Sequence, residues 1–274
     1  MMVEALVYFF VPALVGVLIG IASGLLGIGG GTVMVPIFRL AFGMSATMST
    51  ATSLFAIIPT SISGAISHVK GKTCIPALGI AAGLGGACLS PVGVWLAQLS
   101  PDWLVMLAAA IIIGYSAINM FKKAFKLRPA GQPAAGVDAA APTADYSSLS
   151  RKQLLQGAAI GLVAGLASGY VGVGGGVIMV PLMLSIIGIP MRKASGTSLI
   201  AVMILAIPGV IEQGIIGNIN YLAGIAIVIG TIPGAVIGAR LVTKVPERTL
   251  RLLFGCFLIV AAVMLVLNEV GIFG

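Results

Sequence analysis

Apolar residues run through this chain in long blocks broken by short polar clusters. The blocks fall at about 5–27, 31–42, 46–69, 75–98 and 102–121, and again at 153–171, 177–188, 192–214, 220–243 and 248–267. Eight are near the roughly 20 residues that carry a helix across a hydrocarbon core of about 30 Å. The remaining two, 31–42 and 177–188, rise only about 18 Å as helices and are too short to cross. The pattern predicts an all-α polytopic membrane protein whose segments fall into two sets of five.

The sets are copies. Gly24-Leu-Leu-Gly27-Ile-Gly29-Gly30-Gly31-Thr-Val-Met34-Val35-Pro36 returns as Gly169-Tyr-Val-Gly172-Val-Gly174-Gly175-Gly176-Val-Ile-Met179-Val180-Pro181. The same offset of 145 positions carries Thr52-Ser53-Leu54 onto Thr197-Ser198-Leu199, Gly93 onto Gly238 and Pro101 onto Pro246 without a gap. Self-similarity of this length is the mark of a duplication. The domains read as a first transmembrane repeat over 1–121, a linker over 122–152 and a second repeat over 153–274. The linker, rich in Ala, Pro, Gly and Ser, is a flexible tether.

Charge fixes the orientation of the copies. Hydrophobic residues make up 59% of the chain and charged residues 8%, so a soluble surface is excluded and the net charge of +8 is read as topology rather than nucleic-acid affinity. Lys70 and Lys72 follow the third segment of the first repeat, and the turn 99–102 has no basic residue. In the second repeat 214–220 is uncharged, whereas the turn equivalent to 99–102 carries Lys244, Arg248 and Arg251. Equivalent loops therefore face opposite sides, as in inverted-topology repeats. With basic loops inside, every Lys and Arg except Arg39 and Arg240 lies in a cytoplasmic loop, the linker is cytoplasmic and both termini are outside. This requires the pair of segments opening each repeat to be a glycine-broken hairpin, followed by three transmembrane helices. The N-terminus lacks a positive n-region and a cleavage site, so the first helix is expected to remain.

The glycine breaks are the first candidate for chemistry. Irregular backbone at membrane depth survives only when packed in protein or lining a polar cavity. Gly27, Gly29, Gly30 and Gly31, with Thr32 after them, and Gly172, Gly174, Gly175 and Gly176 are predicted to meet near the midplane, where backbone N–H groups and helix ends would receive an anion. The regularly spaced Gly16, Gly20, Gly24, Gly161, Gly165, Gly169, Gly230, Gly234 and Gly238 read instead as helix-packing faces. A dinucleotide fingerprint fails, because Thr32 and Val177 stand where its last glycine belongs.

Hydroxyls form the second constellation. Ser49, Thr52 and Ser53 share a helical face, and Ser195, Thr197 and Ser198 occupy the matching stretch of the other repeat. They are candidates to replace an oxyanion's hydration shell, against the alternative that they bond their own helix or glue neighbours. Helix termini return at most about 2 kcal/mol each, far below the desolvation cost of a bare anion. Several hydrogen bonds must therefore add to the dipoles. His68, aligned on Gln213, and Glu212, aligned on Ser67, close the third helices near a predicted surface, where interfacial solvation is expected and proton coupling or gating is the alternative. Cys74, Cys88 and Cys256 have neither metal spacing nor even number and read as packing residues. No metal or cofactor is expected. A serine hydrolase using Ser23 or Ser168 with His68 is disfavoured, since the Gly-x-Ser-Gly motif of intramembrane proteases is missing at Ile21-Ala-Ser23-Gly24.

The glycine motif followed by Met-Val-Pro, the stretch Gly196-Thr-Ser-Leu199 and Val245-Pro246-Glu247-Arg248 before the last helix together resemble the sulfite exporter TauE/SafE family, also called the TSUP permeases. The resemblance covers nearly the whole chain outside the linker. It implies a multi-pass permease of a bacterial or archaeal inner membrane, acting on sulfite, sulfonates or other small organosulfur anions, with no role carried to particular residues. The expected function is a secondary transporter of a small anion, with an anion channel as the main alternative.

Overall fold

A computed structural model describes the backbone of residues 2–126 and 150–269, and side chains between residues 12 and 265. The described residues contain helices and no strand: α1 (Met2–Leu26), α2 (Gly31–Phe42), α3 (Ala46–Lys70), α4 (Pro76–Leu99), α5 (Asp102–Lys126), α6 (Arg151–Val171), α7 (Gly176–Leu182), α8 (Met191–Ile216), α9 (Tyr221–Leu241) and α10 (Glu247–Glu269). Among them, 7 are long and apolar enough to cross a membrane by length and composition. The all-helical expectation holds, with ten elements in two matching sets.

Two boundaries differ from the sequence reading. The predicted short helix 177–188 splits into α7 and a π turn over Met183–Ile187, where Ser185 Oγ donates to the Pro181 carbonyl at 2.6 Å. Pro181 offers no N–H, and a serine bonding back four residues loosens the helical ladder. In the first repeat Leu40 stands where Ser185 would be, and α2 stays continuous past Pro36. The helices also reach into the predicted linker. α5 runs to Lys126, and α6 starts at Arg151 behind a Ser150–Gln153 capping box. Residues 127–149, the rest of the predicted linker, lie outside the described residues, as do the chain ends assigned to the outside.

The repeats interlock by exchange. α1 packs along α9, and its counterpart α6 packs along α4. Both contacts are built on the spaced glycines: Gly16, Gly20 and Gly24 lie on the carbonyls of Ile227, Thr231 and Ala235, and Gly161, Gly165 and Gly169 on those of Ala82, Gly86 and Ser90. A Cβ at any of them would collide with that backbone, which is why the seam consists of small residues. Each glycine meets a partner further along the chain as its own number rises, so these helices run parallel.

At the centre α3 lies against its own counterpart α8. Leu54 is beside Gly209, Gly64 beside Leu199, and His68 beside Gly196, so equivalent helices run antiparallel through the middle of the molecule. The outer helices α5 and α10 pair with each other. Each starts with an acidic residue that holds the start of the third helix. Asp102 accepts from the Ala46 N–H at 3.0 Å, and Glu247, its counterpart, accepts from the Met191 N–H at 3.1 Å. Arg39 pairs with Asp102 at 3.5 Å and Arg251 with Glu247 at 2.6 Å. Of the cysteines only Cys74 is a packing residue; Cys88 and Cys256 are exposed on the helix exterior. Burial pushes the Cys74 thiol up from its ordinary value, and the nearby Lys193 ammonium opposes the shift.

Candidate functional site

The two glycine breaks come together. α1 ends in a turn at Gly27, and Gly29 and Gly30 take left-handed backbone, with φ of 79° and 86°, so that α2 folds back from the break. Gly172, Gly174 and Gly175 repeat this after α6 with φ of 72°, 84° and 62°. These angles are unstrained only for glycine. The stretches pass each other antiparallel. A Cβ on Gly31 would meet the Gly172 carbonyl oxygen at 2.8 Å, and one on Gly176 would strike the Gly27 carbonyl.

The crossing lies at mid-length of the central helices. Gly29 faces Val202 and Ile57 at 3.0 and 3.3 Å from a built Cβ, and Gly174 faces Ile57 at 2.8 Å. Ile57 and Val202 are counterparts near the middles of α3 and α8. The tips of the breaks are thus at mid-length of α3 and α8, while Gly27 and Gly172 lie nearer the helix starts, beside Ser195 and Thr50, and the residues of both breaks are buried. No side chain caps α2 or α7, whose first residues follow Gly30 and Gly175 directly.

The duplicated Thr-Ser pairs join the repeats. Ser53 Oγ donates to the Gly172 carbonyl at 2.9 Å, and Ser198 Oγ donates to the Gly27 carbonyl at 2.7 Å. Thr52 Oγ1 accepts from the Asn220 N–H at 3.0 Å, and Thr197 Oγ1 accepts from the Ile75 N–H at 2.9 Å, so each threonine caps the start of the fourth helix in the opposite repeat. In this conformation all four bind protein backbone across the repeat interface. Ser195 bonds the Met191 carbonyl of its own helix at 3.0 Å. Ser49 and Thr32 are buried with no hydrogen-bond partner.

Three further buried hydroxyls without partners surround the breaks: Ser23, Ser61 and Ser168. Ser23 Cβ lies 3.7 Å from a Cβ built on Gly30, and Ser61 Oγ 3.4 Å from one on Gly29. Ser168 lines a small cavity with Val173, Gly175 and Val177. From the sequence Ser23 and Ser168 stand out only as candidate hydrolase nucleophiles, and Ser61 does not stand out at all. The signal was the repeat itself, since Ser23 and Ser168 are counterparts. Neither forms a nucleophile–base pair with His68, whose ring nitrogens are taken by other groups.

His68 is not at a solvated surface. It is fully buried between α1, α8 and the loop after α3, with Nε2 2.7 Å from the Gly24 carbonyl and Nδ1 2.7 Å from Thr73 Oγ1. A carbonyl can only accept, so Nε2 carries a proton, and in the neutral ring Nδ1 accepts from Thr73. The close turn at Gly71 and the return of Thr73 onto the helix end exclude water from the ring. The other repeat builds the same bracket from amides: buried Gln213 accepts from Asn218, the counterpart of Thr73, at 2.9 Å. Glu212 lies next to it, with one buried carboxylate oxygen lacking a partner. Among the described residues no group of acidic, His or Cys side chains is arranged to hold a metal ion.

Residues 12–265 match the family described as Sulfite exporter TauE/SafE. The chain is 27% identical to the probable membrane transporter protein YunE of Bacillus subtilis, over 97% of this chain and 99% of that one. It is 28% identical to a probable membrane transporter protein of Haemophilus influenzae, over 93% and 97%, and 24% identical to probable membrane transporter protein MJ0441 of Methanocaldococcus jannaschii, over 93% and 94%. No solved structure matches. A glycine-broken pair and an interlocked Thr-Ser pair in each of two copies, within a match running nearly end to end, make this chain a member of the sulfite exporter TauE/SafE family of membrane transporters.

Proposed function

We propose that this protein is a secondary transporter of a small anion, namely sulfite, a sulfonate or another organosulfur anion, working by alternating access at the interface between two inverted repeats. The observation that carries the reading is the antiparallel meeting of the two glycine stretches at mid-length of α3 and α8. Bare backbone meets there in an apolar surrounding, and unpartnered hydroxyls flank it, Ser23 beside Gly30, Ser61 beside Gly29 and Ser168 beside Gly175. Such a place offers an anion several hydrogen bonds from donors that the fold leaves idle, which the magnitudes above demand. The antiparallel run of α3 and α8 supports inversion, with the basic loops and residues 122–152 on the cytoplasmic side of a bacterial or archaeal inner membrane and both termini outside.

The site consists of Gly27 to Thr32, Gly172 to Gly176, Ser23, Ser61, Ser168 and Ser49, with the Thr-Ser pairs as the latches that hold the repeats closed over it. Its burial on all sides favours a transporter over a channel, because a channel needs a continuous wet path. Flux of labelled sulfite and of a labelled sulfonate into proteoliposomes is the test. Saturable uptake with counter-flow is expected, and it should be lost on Gly30→Val and on Gly175→Val. Unsaturable flux would favour the channel, and unchanged transport in both variants would remove the site.

A further inference from the structure

Away from the glycine crossing, a cleft of about 730 Å³ opens sideways between α3 and α9. Its walls are Pro59, Ile62 and Ile66 from α3 and Ile232 and Val236 from α9, and it closes at one end on Lys70 and Arg240. The helices run parallel here, with Thr60 on Thr231 and Ser63 Oγ donating to the Ile232 carbonyl at 2.8 Å, so both cations arrive at the same end. Ser67 bonds back to the Ser63 carbonyl at 3.2 Å, and both wall serines are occupied within the protein. No lining residue is acidic. The cleft is an apolar trough about 16 Å long, from the rise between Pro59 and Lys70, with a dication at its mouth.

The duplication supplies an internal comparison. The matching cleft in the other repeat would have Ile215 in place of Lys70, Trp95 in place of Arg240 and Glu212 in place of Ser67. The fold therefore does not require cations at this place, since the equivalent positions of the other repeat carry none. Lys70 and Arg240 lie in the leaflet that the basic loops face, where anionic headgroups concentrate.

We propose that this cleft is a binding site for one anionic phospholipid, with its phosphate held by Lys70 and Arg240 and an acyl chain laid between α3 and α9. A small free anion would use the mouth and leave the apolar trough empty; a zwitterionic lipid would fill the trough but bring its own cation to the two basic groups. Only an anionic lipid matches both ends. The site is separate from the glycine crossing, and its occupancy does not depend on which substrate is carried.

Native mass spectrometry of the purified protein, titrated with dioleoyl phosphatidylglycerol or with dioleoyl phosphatidylcholine, which has the same tails, tests this. The anionic lipid should be retained at least tenfold more tightly. Lys70→Gln with Arg240→Gln should bring it to the level of the zwitterionic lipid, and Ile66→Trp, which fills the trough and keeps the charges, should do the same. Equal retention of the two lipids in the parent would overturn the proposal. So would retention unaffected by both changes, or displacement of the lipid by millimolar inorganic phosphate, which would make the mouth a small-anion site. Thermal melting of each variant separates lost binding from lost fold.

Discussion

The buried hydroxyls divide into two classes whose removal should change stability with opposite sign. Thr52→Val and Thr197→Val keep shape but delete the oxygen that accepts from Asn220 N–H and Ile75 N–H. Each then leaves a buried amide at a helix start with no partner, a loss of about 1–3 kcal/mol. The threonines serve different helices and share no partner, so the double variant should lose the sum within about 0.5 kcal/mol. Ser23→Ala, Ser61→Ala and Ser168→Ala instead remove hydroxyls that the closed fold leaves unpaired. An unpaired buried hydroxyl is itself unfavourable by about 1–3 kcal/mol, so these variants should be neutral or more stable by about 1 kcal/mol after a small void is allowed for. If the idle hydroxyls wait for an anion, the same three variants should bind sulfite or a sulfonate more weakly, by roughly tenfold for each lost hydrogen bond. Equilibrium unfolding in mixed micelles gives the first quantity, and ligand-dependent thermal shift gives the second. Neutral threonine variants combined with serine variants that lose 1–3 kcal/mol would reverse the assignment and refute it.

Packing and orientation allow further checks. Gly161→Ala drives a methyl into the Ala82 carbonyl and should lower stability by about 1–3 kcal/mol, whereas Gly114→Ala, with open space around its Cβ position, should be neutral or gain up to about 1 kcal/mol in the same unfolding assay. His68→Gln installs the amide that the second repeat uses at Gln213 and should stay within about 1 kcal/mol of the parent, whereas His68→Ala frees the Gly24 carbonyl and loses about 1–3 kcal/mol. A pH profile of transport in His68→Gln identical to the parent's would remove any proton-coupling role. Single cysteines at Ser100 and Thr243, in equivalent turns, should react with impermeant reagents from opposite sides of oriented vesicles; reaction from one side would end the inverted reading.

The sequence exposed more of the fold than of the site, for a physical reason. Helix length and the glycine spacing are written into single segments, because each must satisfy its own backbone in lipid and each close crossing needs a small residue at every turn. The short arm 31–42, the faces at Gly16 and Gly161 and the meeting of the breaks were all legible in this way. What the hydroxyls do was not, because that depends on partners more than a hundred residues away, Ser53 being spent on Gly172 and Thr197 on Ile75; Ser61, whose counterpart is Ala206, lies beside Gly29 with no repeated serine to mark it. Asp102 and Glu247 were visible within a recurring Pro-acid step, yet nothing local says that they cap Ala46 and Met191. His68 reads as a surface residue from its place at a helix end, and it is Gly24 on α1, Gly196 on α8 and the return of Thr73 that together bury it.

The latches also set the scale of the proposed transport cycle. Two of them, Thr197 on Ile75 and Ser198 on Gly27, lie toward the end of the molecule where α3 finishes and α8 begins, beside the His68 bracket. Their counterparts, Thr52 on Asn220 and Ser53 on Gly172, lie toward the other end. Opening one end therefore breaks two bonds and keeps two. At about 0.5–1.5 kcal/mol net for each bond, the share of that opening carried by the latches is roughly 1–3 kcal/mol, comparable to the few kcal/mol that keep a minor conformer populated at about 0.1–10%. Breaking all four at once would cost about twice as much and would open both sides together, which a coupled transporter must avoid. Thr197→Val combined with Ser198→Ala should thus bias the protein toward opening at the His68 end alone. A cysteine placed at Ala194 should become reactive to a small thiol reagent, while one at the counterpart Ser49 stays protected. Equal exposure of both positions would show that the two ends do not open separately, and the latches would then be simple mortar.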